Sequence, residues 1–278
     1  MKTFLLIFIC LLYGFQSLPQ KLSVDLYAGA ANYVGDLQEK NYTFKQAHFA
    51  GGAGLTYDLT NKFSIRGGIM FSNFSADDKF GRNAERNLNF ASKIVEGHVG
   101  LQYYITRMED HALTPYVFGG IALFHVNPYT FDTTGKKFFL QPLSTEGQGF
   151  VDGVANYKLT NFAIPFGGGV KLSLAENINV GLELGFRKTF TDYIDDVSGK
   201  YVDQALLLTN RGPDAVELAF RGDELKNGSM YPLAGTRRGS AKNKDMYYFT
   251  TLTASYRFGN IFGGDGGRSR KYGCPVAL

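Results

Sequence analysis

Tryptophan is absent from this chain of 278 residues, proline occurs eight times and cysteine twice. Two cysteines give no internal disulfide framework. One of them, Cys10, lies in an N-terminal apolar run behind Phe8 and Ile9, residues too large for a lipidation box, so only Cys274 remains beyond it. Past that run no apolar stretch approaches the roughly 18 residues a membrane helix needs, which excludes a helical membrane bundle. Neither charge sign dominates: the formal net charge is +4 and the basic residues are dispersed, which speaks against a nucleic-acid partner. The four histidines, His48, His98, His111 and His125, share no ligand spacing, so no metal or cofactor is expected. What the chain has in quantity is glycine, 34 residues, and Phe plus Tyr at 15%. That mixture suits curved, tightly packed strands better than helices.

Residues 1–17 read as a secretory signal peptide, with Lys2 ahead of the apolar run Phe4–Leu12 and small or polar residues at Gly14–Ser17. Phe15 leaves the cleavage point open. An uncleaved anchor is the poorer reading, because the run is too short to span a bilayer.

The clearest element lies in 177–196. Ile178, Val180, Leu182, Leu184 and Phe186 alternate with Asn179, Gly181, Glu183, Gly185 and Arg187. Period two with an apolar face and a charged face is a strand, and its length suits a transmembrane barrel. Eight such strands are predicted, at 22–33, 49–57, 63–73, 92–105, 115–125, 162–174, 178–190 and 247–258. The fifth is apolar on both faces, so its register stays open. Connections alternate long and short. The turns Asp58–Asn61, Thr106–Ala112 and Ala175–Asn177 are short. The loops after strands one, three, five and seven are long, with 127–159 and 191–245 expected to be irregular. This asymmetry predicts an eight-stranded antiparallel outer-membrane β-barrel with tight periplasmic turns, long extracellular loops and both mature termini in the periplasm. The domains expected are the signal, the barrel over 18–258 and a Gly-rich periplasmic tail, 259–278. Strand eight, ending on Phe258, is similar to the terminal strand read by barrel assembly machinery.

On these registers the lumen holds Asp25, Glu96 and Glu183 against Arg66, Lys171, Arg187 and Arg257. An eight-stranded barrel is just wide enough for side chains to fill it, and near-balanced buried charges are expected to pair into a plug rather than line an ion path. Glu96 and His98, two apart on one face, form the best catalytic lure, but no neighbouring serine is placed beside them, and no catalytic residue is assigned. Asp192, Asp195 and Asp196 lack the Gly and terminal Glu of a calcium loop and are expected to form a solvated loop mouth. Gly167–Gly169 precede no helix, so they are read as room for lumen side chains rather than a phosphate cradle. Cys274 admits two readings, a tolerated thiol on a frayed tail or an intermolecular disulfide or docked tail. Its companions Arg268, Arg270, Tyr272, Gly273 and Pro275 have the look of a recognition peptide.

Several blocks carry a likeness: Asn32-Tyr-Val-Gly-Asp36, Thr114-Pro-Tyr-Val-Phe-Gly119, Gln141–Gly149, Phe162–Gly167, the long block Gly185–Asp203 and the closing Tyr272-Gly-Cys-Pro275. In this order they resemble the PorG-like family of outer-membrane barrels, small OmpA/OmpX-like barrels of the type IX secretion and gliding machinery. The resemblance implies a non-enzymatic role. The partners it implies are a periplasmic ring lipoprotein and its partner protein, in contact with outer-membrane lipid, with no nucleic acid and no small-molecule substrate. The short turns and the tail are then the expected docking face, with Cys274 the foremost contact. The alternative is a barrel whose long loops bind an external or secreted partner.

Overall fold

The computed structural model describes residues 22–38, 43, 45–106 and 111–258. Eight long strands close into an antiparallel barrel: β1 (Leu22–Val34), β2 (His48–Asp58), β3 (Phe63–Asp77), β4 (Asn89–Tyr104), β5 (Leu113–Val126), β8 (Thr160–Ser173), β9 (Ile178–Thr189) and β10 (Met246–Arg257). Each pairs with its chain neighbours except at the seam, where β1 meets β10 from Ser23 opposite Arg257 to Val34 opposite Met246. The remaining strands, β6 (Tyr129–Phe131) and β7 (Lys137–Phe139), form a side hairpin joined to β4 through Tyr129 opposite Ala91. Among the described residues no helix is long and apolar enough to cross a membrane.

Alternation decides which way each side chain points. Leu26, Ile121, Phe162 and Leu252 are 58%, 61%, 64% and 66% exposed, whereas Asp25, Ala122, Ala163 and Thr251 beside them are buried. A wall that shows leucine and phenylalanine outward and charge inward is stable only in a nonpolar solvent, so the barrel is of the membrane-embedded kind. The open register of the fifth strand is settled by the ladders: Tyr116, Ala122 and Phe124 face in, and Val117, Ile121 and Leu123 face out. Inward glycines supply the room expected of them. A Cβ on Gly169 would lie 2.7 Å from the Tyr116 hydroxyl and 2.5 Å from the Leu182 carbonyl.

The end opposite the short turns is not the open loop region predicted. β3 runs on to Asp77 and β4 begins at Asn89, so the strands shorten the loop between them. The 127–159 connection contains the β6–β7 hairpin, and 191–245 contains two helices, α1 (Gln204–Arg211) and α2 (Pro213–Ala219). Asp203 caps α1 by accepting from the Leu206 amide, and Gly212, at φ 85°, turns the chain directly into Pro213. That φ is open to glycine at little cost, and proline is at home in a first helical turn. Leu207 packs with Ala215, Ala219 and Val202 in a small core of the loops' own. The contradiction with the irregular expectation has a physical cause: each element is too short to show a period and is held by burial, not propensity.

Candidate functional site

The lumen is filled in layers. Nearest the short turns, Asp25 accepts from Thr56 Oγ at 2.5 Å and from Ser255 Oγ, with Lys171 Nζ at 3.9 Å. At mid-height Arg66 grips Glu183 with both terminal nitrogens, at 2.6 and 3.1 Å. Tyr116 donates to the same carboxylate at 2.8 Å, and the Arg66 guanidinium lies 4.4 Å from the Phe118 ring centre. Above it Arg187 binds Glu96 at 3.0 Å, Tyr247 donates to Glu96 at 2.8 Å, and Phe249 lies 4.5 Å from the guanidinium. Between Asp25, Arg66, Lys171 and Glu183 no space for a water molecule remains. A buried apolar layer that includes Tyr33, Phe74, Phe90, Ile94, Phe124 and Ile194 closes the loop end.

Six of the seven charges assigned to the lumen thus form three pairs. Arg257 does not join them. It binds Asp58 at 2.7 Å at the half-exposed rim by the short turns, because it is the last residue of β10. Sequence reasoning missed Tyr116, Tyr247, Thr56 and Ser255 as lumen partners. Tyr116 was invisible for want of a register. The other three are inward positions of recognised strands and were legible from alternation alone.

Glu96 and His98 lie 3.2 Å apart, but the carboxylate is held by Arg187 and Tyr247, and neither His98 ring nitrogen makes a hydrogen bond. The residues opposite His98 across the ladders are Gly68 and Ala122, so no nucleophile flanks it in register. Among the described residues no group of three or more His, Cys, Asp or Glu side chains could hold a metal. The tail residues Arg268, Arg270, Tyr272, Gly273, Cys274 and Pro275 lie outside the described residues, as does the signal segment.

The three aspartates overturn the solvated-mouth expectation. Asp192, Asp195 and Asp196 are 2%, 1% and 0% exposed. They sit at the heart of a polar cap built from all four long loops. Arg238 Nη1 binds Glu146 at 3.1 Å and the Asp196 carbonyl at 2.6 Å, with the Asp196 carboxylate at 3.7 Å. Glu146 accepts from the backbone amides of Ser198 and Gly199, both at 2.9 Å. Asp196 also accepts from Thr145 at 2.5 Å and Tyr157 at 2.7 Å. Arg86 is forked onto Asp78 at 2.7 and 2.9 Å and donates to the Asp36 and Arg238 carbonyls. Asp36 in turn accepts from the Ser240 amide at 2.8 Å.

One contact in the cap has a protonation state written into it. The Tyr33 hydroxyl lies 2.7 Å from Asp195 and 3.0 Å from Asp245, both buried. A phenol has one hydrogen, so it donates to one carboxylate, and the other must itself carry a proton to donate back. Burial agrees, pushing Asp195 up to about 8 and Asp245 well above the usual carboxylate range. Asp196 is raised to about 6, against the pull of Arg238, by the same desolvation.

Three of the blocks that carried the family likeness, Asn32–Asp36, Gln141–Gly149 and Gly185–Asp203, meet in this cap through Tyr33, Asp36, Thr145, Glu146 and Asp195–Ser198. Residues 2–208 match the family described as Domain of unknown function (DUF6089). No curated protein matches the chain. Among solved structures, it is similar to neisserial surface protein A at 9% identity and TM-score 0.42, over 85% of this chain and 97% of that one. It is similar to Ail, the attachment invasion locus protein of Yersinia pestis, at 10% identity and TM-score 0.40, over 86% and 99%. It is similar to the outer membrane protein OprG of Pseudomonas aeruginosa at 8% identity and TM-score 0.39, over 86% and 97%. Those likenesses are loose, and the barrel rests on its own ladders and its apolar exterior.

Proposed function

The chain belongs to the DUF6089 family, and from that premise we propose that it is a non-enzymatic outer-membrane anchor of the type IX secretion machinery. In this reading the short turns and both mature termini face the periplasm. There the turns and residues 259–278 hold a ring built from a lipoprotein and its partner protein. The observation that supports an anchor is the filled lumen. Three ion-pair layers, an apolar layer and a cap stand in series, so the barrel offers a rigid body rather than a conduit. The resemblance to the PorG-like family supplies the secretion system.

The test is deletion of 262–278 in cells, with affinity capture of the barrel. The expected outcome is a truncated barrel that still inserts, shown by heat-modifiable migration on a gel, but no longer brings ring proteins with it. Ring proteins captured undiminished with the truncated barrel would remove the tail from the docking face.

A second reading is favoured by the order of the cap. Loops that merely separate strands need no buried ion pairs, so 127–159 and 191–245 are also suited to present a fixed surface to an external or secreted partner. Loss of secretion on removing α1 and α2, with ring capture intact, would favour this reading over the first.

A further inference from the structure

The side hairpin β6–β7 continues the barrel wall beyond the membrane belt, and its outer face is unlike the belt below. Tyr129 pairs with Ala91, which shares the outward face of β4 with Lys93 and Val95. Phe139 pairs with Tyr129, and Lys137 with Phe131, so all four hairpin side chains look outward with them. Phe131 and Phe139 are 49% and 44% exposed. The Lys137 ammonium is held 3.5 Å from the Tyr129 ring centre and 4.8 Å from that of Phe139. Below, His125 lies opposite Val95 across the β4–β5 ladder, so it stands beside Lys93 at the upper edge of the belt.

The charge on this face is unbalanced. Neither Lys93 nor Lys137 has a carboxylate partner among the described residues. The carboxylates beside the hairpin are engaged: Asp77, opposite Asn89, pairs with Lys79 at 2.7 Å, Asp132 closes the hairpin turn by accepting from the Thr134 and Lys136 amides, and Asp214 pairs with Lys136 at 3.7 Å.

Depth chooses the occupant. Lys93 is two residues above Val95, about 5 Å higher on a strand rising about 3.4 Å per residue and tilted about 40°. Ala91 and the hairpin are about 10 Å higher by the same reckoning. The headgroup zone of an ordinary phospholipid is only about 5–7 Å deep. Lys93 therefore reaches phosphate level, while the aromatic face stands where a phospholipid has nothing to offer. A lipid with a thick sugar headgroup fills that height, its rings against Tyr129, Phe131 and Phe139 and its phosphates against Lys93 and Lys137.

We propose that the outer face of the β6–β7 hairpin, with Lys93 and His125 below it, is a seat for a phosphorylated glycolipid of the outer leaflet. This rests on the reading that the long loops face outward.

The test is native mass spectrometry of the full chain in detergent, titrated with bisphosphorylated lipid A, its dephosphorylated form and phosphatidylglycerol. Wild type is expected to prefer the phosphorylated glycolipid to the other two by about tenfold, worth roughly 1.4 kcal/mol. The double variant Lys93→Gln/Lys137→Gln is expected to lose that preference while keeping heat-modifiable migration. Should the double variant not fold, Lys137→Gln alone is expected to weaken binding about threefold. Phosphatidylglycerol bound as tightly as lipid A, or a folded lysine variant with wild-type affinity, would overturn the proposal. Thr134→Cys in a Cys274→Ser background reports the side: labelling on intact cells by an impermeant maleimide is expected. No labelling would overturn the outward orientation and the proposal together, whereas labelling without selective lipid binding would overturn the proposal alone.

Discussion

The lumen and the cap both bury arginine against carboxylate, and they reach that state by different routes. In the lumen, partners stand on strands whose ladder dictates which side chain meets which. Arg66 and Glu183 lie on opposite walls, yet period-two alternation alone sends both inward. In the cap, Arg238 meets Glu146 across 92 residues of chain and Tyr33 meets Asp195 across 162, with no ladder between them. The lumen is a consequence of local geometry repeated eight times. The cap exists only if four loops arrive together, so its polar groups depend on one another far more.

That contrast predicts where damage spreads. The largest effect is expected from Arg238→Met, which strands Glu146 and Asp196 buried without their cation, a loss of about 3–5 kcal/mol. Because loops rather than strands carry the cost, limited proteolysis should open 191–245 while heat-modifiable migration of the barrel persists. Cleavage no faster than wild type would mean the cap stands without its ionic centre.

In the lumen, Arg66→Met alone is expected to cost about 3 kcal/mol in denaturant unfolding from detergent micelles, since Glu183 keeps only Tyr116 as a donor. Arg66→Met/Glu183→Leu should recover most of that loss, because an apolar pair of similar size removes both desolvation penalties. A double variant no better than the single would show that the pair is needed for more than mutual neutralisation.

The smallest effect is a pH dependence confined to the cap. Asp195 has its folded value raised to about 8 by burial, above an unfolded carboxylate near about 4. A raised value means the proton stabilises the fold. The contribution is complete in acid and is lost as pH climbs from the ordinary carboxylate range through about 8. Hydrogen bonds from Tyr33 and the Val197 amide oppose the rise, Asp36 adds to it and Arg86 opposes it, and the Asp195 charge in turn raises Asp245. Hydrogen-exchange protection factors, taken relative to the intrinsic base-catalysed rate, at Ile194, Val197 and Leu37, whose amides bind this carboxylate pair, should therefore fall from pH 6 to pH 9. Asp195→Asn, neutral throughout, should flatten the profile and leave exchange in the barrel strands unchanged.

Much of this molecule was written in residue order. Alternation from Ile178 to Phe186 places Glu183 and Arg187 inside, and the same rule on the other strands brings in Asp25, Arg66, Glu96 and Lys171. The rhythm of long and short connections yields the number of strands and the two ends, because a strand's direction reverses at every turn. What order alone could not give is pairing that has no period. Tyr116 needed a neighbour's register before its face was known. Asp192, Asp195 and Asp196 read as a charged loop mouth, since nothing local reveals that Tyr33, Thr145, Tyr157 and Arg238 converge on them. Strand faces follow from the stereochemistry of an extended chain and are therefore local. The cap follows from loops excluding water together, and that is settled only once the barrel has brought its four long loops to one end.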